Sequence, residues 1–287
     1  MRTEVARGVN HGLRWVLLGL VVVIVATVSV ALYRGVGAVT GRQRCSATVG
    51  GHTVHLSPDQ ARNATLIAAI GVRRGLPARA VSIAFATAYQ ESKLQNLDHG
   101  DRDSLGLFQQ RPSQGWGTAA QVRDPYYATN KFYDALAKVD GFETMRITEA
   151  AQRVQRSGFP EAYEPHAEDA RALASALTGY SPGGRFSCVV DSPDGHGTAA
   201  ATVTDLERAF GSLRTTGTVR DLVLDVGTGP AARRRGWSVA QYLVAHASTL
   251  QVATVSFNGR QWQAGPDSKK GWLAHSTPRG RVSVTLA

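Results

Sequence analysis

Hydrophobic positions change character twice along this chain. From Trp15 to Tyr33 they are continuous, and the run WVLLGLVVVIVATVSVALY carries no charge. At about 1.5 Å per residue it approaches the roughly 30 Å of a bilayer core. It predicts a transmembrane helix over 15–33, with residues 1–14 as a cytoplasmic N-terminus. A secretory signal peptide competes, with Ser29-Val30-Ala31 as its cleavage site, but an apolar signal core usually spans only about 7–15 residues. Between 57 and 180 the apolar positions recur every three to four residues, the helical period. Beyond about 202, short strand-like runs alternate with helical ones.

The helical region carries its own punctuation. Ser57-Pro58-Asp59 reads as a helix start, with serine as the cap and proline at the first turn. Ala64, Ile67, Ala68 and Val72 follow on one face, and Gly75 ends the helix. Pro77 opens a second helix, whose apolar positions include Val81, Ile83, Ala84, Phe85, Ala88 and Tyr89. Asp124-Pro125 opens another through Ala128, Phe132, Leu136 and Val139. Thr148–Arg156 and Glu168–Leu177 complete the set. Residues 34–56 and 181–201 read as linkers, the second marked by Ser181-Pro182-Gly183-Gly184. In the tail, Val203–Phe210 and Gly236–Leu250 read as helices. Asp221–Val226, Ala253–Phe257 and Arg281–Leu286 read as strands, with Asn258-Gly259 as a hairpin turn. The expected fold class is thus a mainly α domain over 57–180, preceded by one transmembrane helix and followed by a small α+β domain over 202–287.

Composition narrows the partners. The net charge of the 287 residues is +10 and most of the cations are arginines. Such a balance favours polyanions. No compact Lys/Arg run or nucleic-acid motif occurs, so nucleic acid is not expected, and anionic wall polymers fit better. The two cysteines, Cys45 and Cys188, would remain thiols in a cytosolic chain and pair in an exported one. A bridge closing so long a loop contributes about 5 kcal/mol at most.

The chemistry concentrates in Ala80–Gln110. The apolar helix runs directly into Gln90-Glu91-Ser92. Burial of a carboxyl there would raise its pKa and keep it protonated, as a general acid requires. The polar stretch Asp98-His99-Gly100-Asp101-Arg102-Asp103 follows, closing on Gly106-Leu107-Phe108-Gln109-Gln110. Glycosidic cleavage normally uses two carboxylates. Asp98, Asp101 and Asp103 are candidates for the second, but all three lie in a hydrophilic turn. A single acid suffices where the substrate supplies the nucleophile, through an N-acetyl group or an intramolecular hydroxyl.

Gln90-Glu91-Ser92 followed by Gly106-Leu107-Phe108-Gln109 resembles the Glu-Ser and Gly-Leu-Met-Gln signature of soluble lytic transglycosylases and goose-type lysozymes. The nearer likeness is to lysozyme-like domains of actinobacterial membrane-anchored cell-wall proteins. Trp116, Asp124-Pro125, Tyr127-Ala128, Phe132 and the later run Val154-Gln155-Arg156-Ser157, Pro160 and Ala162-Tyr163 carry it. The resemblance covers about 57–180 and implies a lysozyme-like fold. It implies Glu91 as general acid and later base, with Ser92, Gln109, Gln110 and Tyr163 around the substrate. Phe108 stands where many members have methionine.

In the tail, the run from Gly236-Trp237 to His246-Ala247, then Asn258-Gly259-Arg260-Gln261-Trp262 and Gly271-Trp272, resembles a C-terminal domain of actinobacterial wall-associated proteins, one that looks akin to the zinc peptidases that cut peptidoglycan cross-links. Asp225 stands in their aspartate position, but Thr218 and Arg281-Val282-Ser283 replace their histidines. One carboxylate cannot hold a catalytic zinc, which normally takes three protein ligands. No metal and no cofactor is therefore expected, and the tail reads as non-catalytic. Trp237, Trp262 and Trp272 are core or sugar platforms. The resulting expectation is a single-pass cell-membrane protein, its bulk extracellular, cleaving the β-1,4 bond between N-acetylmuramic acid and N-acetylglucosamine in peptidoglycan glycan strands. A non-catalytic peptidoglycan-binding scaffold is the alternative.

Overall fold

The computed structural model describes residues 43–287 apart from Ser157, Gly158 and Pro160. The expected transmembrane segment 15–33 and the cytoplasmic stretch 1–14 lie outside the described residues. Among the described residues no helix is long and apolar enough to cross a membrane. The longest helices have 16 residues, Pro58–Arg73 (α1) and Pro230–Ala245 (α8). At about 1.5 Å per residue each reaches only ~24 Å, and both carry arginines. The expectation of a mainly α fold led by a transmembrane helix is therefore corrected, and with it the single-pass membrane placement. The described fold combines helices with two antiparallel sheets.

Residues 44–56, expected within a linker, form the hairpin β1 (Arg44–Val49) and β2 (His52–Leu56). β3 (Phe186–Val189), within the other expected linker, pairs with the free edge of β1 in the order β2-β1-β3. Short alternating patterns such as Cys45-Ser46-Ala47, with the first and third residues buried, explain the pairing. Cys45 lies directly opposite Cys188 in this register and the two form a disulfide spanning 143 residues of sequence.

α1 begins as its sequence indicates: the Ser57 and Gln60 side chains cap each other's backbone. α2 (Ala78–Ser92) is buried continuously from Ala80 to Ala88, which its nearly unbroken apolar sequence allows. The short α3 (Ala119–Arg123) precedes α4 (Pro125–Leu136), which is started by the Asp124 side chain accepting from the Tyr126 N–H. α5 (Ile147–Gln155) and α6 (Ala167–Leu177) pack against α2. The Phe108 ring stacks on Phe132, with centroids 4.6 Å apart, so Phe108 belongs to the core.

Residues 43–287 form one compact unit. After α7 (Ala199–Phe210), a six-stranded sheet runs in the order β4-β5-β9-β6-β7-β8. Its strands are Arg214–Gly217, Asp221–Asp225, Val252–Phe257, Arg260–Gln263, Leu273–Ala274 and Arg281–Leu286 for β4 to β9. α8 is buried at every position from Gly236 to Ala245 because it packs on β6 on one side and on α1 on another. A Cβ on Gly236 would lie 2.1 Å from the Phe257 ring, so only glycine lets helix and sheet approach this closely. Trp237, Trp262 and Trp272 are all buried. Trp262 and Trp272 donate their indole N–H groups to the backbone carbonyls of Cys188 and Phe186. These tryptophans thus stitch the tail to β3 and are core residues, not sugar platforms.

Candidate functional site

Glu91 is set by the end of α2. The eight residues from Val81 to Ala88 anchor the helix in the core, and its last turn emerges at the wall of a cleft. Lys93 and Leu94 both adopt left-handed backbone, with φ of 55° and 59°, so the chain turns sharply after the acid. Leu94 is buried and locks that turn. The carboxyl itself is mostly buried, and burial pushes its pKa up. Tyr163 donates its hydroxyl to Glu91 Oε1 at 2.8 Å, and Gln155 also hydrogen-bonds the carboxyl. Both bonds favour the ionised form, but burial outweighs them. The helix dipole acts in the same direction as burial, because a C-terminal last turn disfavours negative charge.

The opposite wall is built from the 97–111 loop. Leu105 and Gln110 exchange backbone hydrogen bonds, closing a tight turn around Gly106-Leu107-Phe108-Gln109. Gly106 has φ of +78°, and a Cβ there would sit 2.3 Å from the Val122 carbonyl oxygen. Only glycine fits both constraints. Asp103 accepts from the Arg111 guanidinium, from the Ser113 N–H and from the Ser113 hydroxyl, which hold its pKa down at about 2. It is a loop staple rather than a partner acid. Asp98 is paired with His99 and exposed. Asp101 lines the cleft.

The sequence-predicted residues divide by role. Glu91 and Gln109 line the cleft together, and Tyr163 touches the acid from behind while fully buried. The Gln109 side chain is held by the carbonyls of His99 and Gly106, each at 3.2 Å. Ser92 is buried and donates to the Leu107 carbonyl at 2.7 Å and the Ala88 carbonyl at 3.0 Å. It fastens the end of α2 to the Gly106 turn. Gln110 is buried as well, donating to the Ala128 carbonyl. Neither is among the residues lining the cleft. Cys45 and Cys188 form the expected disulfide.

Gln155 was not singled out by sequence reasoning as a site residue. Its amide donates to the Phe108 carbonyl at 2.7 Å and also bonds Glu91, so it couples the acid to the opposite wall. The signal was present: on α5, Gln155 follows the buried Ile147, Ala150, Ala151 and Val154, yet remains polar at the helix end. The cleft encloses 1410 Å³, and Trp116, Gln114, Arg153 and Val139 contribute to its lining. Its volume and its polar, partly aromatic lining suit a polar chain.

In the tail, Asp225 accepts from the Gly227 N–H, and Thr218 accepts from the N–H groups of Arg220 and Asp221. Both are occupied by turn contacts. His246 is buried beside Asp205, with the nearest nitrogen-to-oxygen distance 3.8 Å, and stacks on Tyr242. Among the described residues no three His, Cys, Asp or Glu side chains are placed to hold a metal ion.

No known family model matches this chain, and no curated protein matches it by sequence.

Proposed function

We propose that this protein is a glycosidase of peptidoglycan glycan strands, cleaving the β-1,4 bond between N-acetylmuramic acid and N-acetylglucosamine. The observation that carries the reading is Glu91: a carboxyl whose pKa is raised by burial, held by Tyr163 and Gln155, at the wall of a cleft of 1410 Å³. A carboxyl whose pKa is raised by burial holds its proton to higher pH than a free one, and can give it to the glycosidic oxygen as the bond to the sugar carbon breaks. The aglycone leaves as an alcohol, and Glu91 is left ionised. An intramolecular hydroxyl of the substrate, or a water molecule, then attacks the sugar carbon and returns its proton to Glu91.

The groups acting on Glu91 are burial, Tyr163 and Gln155, with no second carboxylate among them. Asp134 lines the same cleft but is paired with Arg74 at 2.8 Å. This suits a mechanism with one enzyme carboxyl and a nucleophile from the substrate or solvent.

The test is digestion of purified peptidoglycan by wild type and Glu91→Gln, with mass analysis of the products. Wild type is expected to release muropeptides, and Glu91→Gln to lose about 10²–10⁴-fold in rate. Binding without release by wild type would replace the enzyme reading with that of a peptidoglycan-binding scaffold.

A further inference from the structure

The cleft is far richer in cations than in carboxylates, and its cations are not equivalent. Arg74 is paired with Asp134, and Arg111 with Asp103. Arg102 faces Asp101 at 4.0 Å, and Lys131 lies over the Tyr127 ring. That leaves Lys138, Arg153 and Arg156, which line the cleft, are exposed, and have no ion pair among the described residues. Arg156 caps α5 in left-handed backbone, immediately after the Gln155 that bonds Glu91. Arg153 lies two positions before that glutamine on the same helix. Neither guanidinium is among the groups acting on Glu91. They therefore stand close to Glu91 in the chain without offsetting the burial that raises its pKa.

A cleft for a neutral glycan gains nothing from three lining cations that have no ion pair among the described residues. Together they make the cleft electropositive, a field that attracts an anionic ligand. Arginine forks match carboxylates in two-point geometry, while a lysine adds a point charge. We infer that Lys138, Arg153 and Arg156 bind carboxylates carried by the substrate, so that the cleft selects an acidic glycan, one bearing free carboxyl groups beside the scissile bond, over a neutral one. This rests on reading the cleft as a glycan site and specifies its substrate class. The peptide side chains of peptidoglycan supply such carboxylates.

The experiment uses Glu91→Gln, which separates binding from cleavage. Its affinity is measured for soluble peptide-bearing glycan fragments, for the same fragments with their carboxyl groups amidated, and for neutral N-acetylglucosamine oligomers. Expected is binding at least about tenfold tighter to the free-carboxyl fragments, weakening as salt rises, from three charge-assisted contacts acting together. Adding Lys138→Gln, Arg153→Gln and Arg156→Gln should abolish that preference while leaving the circular dichroism spectrum and Tm unchanged, because all three side chains are exposed. Equal affinity for free and amidated fragments would overturn the inference, as would a preference that survives the triple substitution. Cleavage by wild type is scored separately on both fragments. Equal cleavage rates would sink the inference while the glycosidase reading stands; carboxylate-selective binding without cleavage would sink only the latter.

Discussion

The Tyr163 hydroxyl donates to Glu91 Oε1 at 2.8 Å from a fully buried position, joining residues 72 apart in the sequence. The bond has two opposed consequences. It fixes the carboxyl in space, and it favours the ionised state that a general acid must avoid at the start of its cycle. Burial wins that contest, so Glu91 keeps a raised pKa.

Tyr163→Phe should therefore push the Glu91 pKa higher still. The alkaline limb of the pH–rate profile, which reports loss of the proton from the acid, should move to higher pH. The maximal rate should fall, because the carboxyl loses its positional restraint. Global stability should change by only about 0.5–1.5 kcal/mol, the usual worth of one hydrogen bond. An alkaline limb moving downward would contradict the assigned balance.

The same shift is a stability statement. The folded-state pKa of Glu91 lies above its unfolded value, so the native protein holds this proton more tightly than the unfolded chain does. Stability contributed by this group is present below the unfolded carboxyl range and is lost as pH rises through the folded pKa. Above the unfolded carboxyl range, keeping this group buried costs stability that a neutral side chain would not lose. Glu91→Gln should be more stable than wild type at pH 7, with Tm higher by on the order of 2–4 °C per kcal/mol relieved. The gain should vanish near pH 4. Thermal melts of both proteins from pH 4 to pH 8 decide it, and a gain that grows towards acid pH would refute the assignment.

Gly106→Ala leaves the acid untouched but attacks the wall opposite it. The new Cβ would meet the Val122 carbonyl oxygen at 2.3 Å, at a backbone φ of +78° that alanine adopts only under strain. Destabilisation of at least about 2 kcal/mol is expected. Activity should fall even at temperatures where the fold persists, because Gln109 hangs from this turn. Urea titration and peptidoglycan digestion measure the two effects separately.

Cys45→Ser combined with Cys188→Ser removes a bridge that closes 143 residues of sequence. Chain-entropy reasoning sets the loss at about 5 kcal/mol at most, with the observed value smaller where the unfolded chain keeps structure. Both cysteines are almost completely buried, so the bridge in the folded protein should resist reductant until the protein is partly unfolded. Thiol counting under native and denaturing conditions tests this directly, and rapid native reduction would contradict it.

Much of the local structure was legible from the residues. Ser57-Pro58 and Asp124-Pro125 marked helix starts that the structure reproduces with their capping hydrogen bonds. The apolar run into Glu91 pointed to a buried helix ending on an acid. Pairing was less legible. Residues 44–56 and 186–189 read as linker because their strands are short; β1 and β2 form a local hairpin, but β3 finds its partner β1 more than a hundred residues away. Ser92 and Gln110 matched a motif whose residues look alike in sequence, yet here they hold the turn together from inside.

By itself, then, the sequence determined the helix that delivers Glu91, the polar stretch that follows it and the presence of two cysteines, because capping and helical period are local properties. Only the tertiary structure decided that Tyr163 and Gln155 hold the acid, that Asp103 is a staple, and that the tail tryptophans are core. It also left Lys138, Arg153 and Arg156 along the cleft with no ion pair among the described residues. Each of those outcomes depends on which distant groups share a dielectric environment or a hydrogen bond, and no spacing along the chain encodes that.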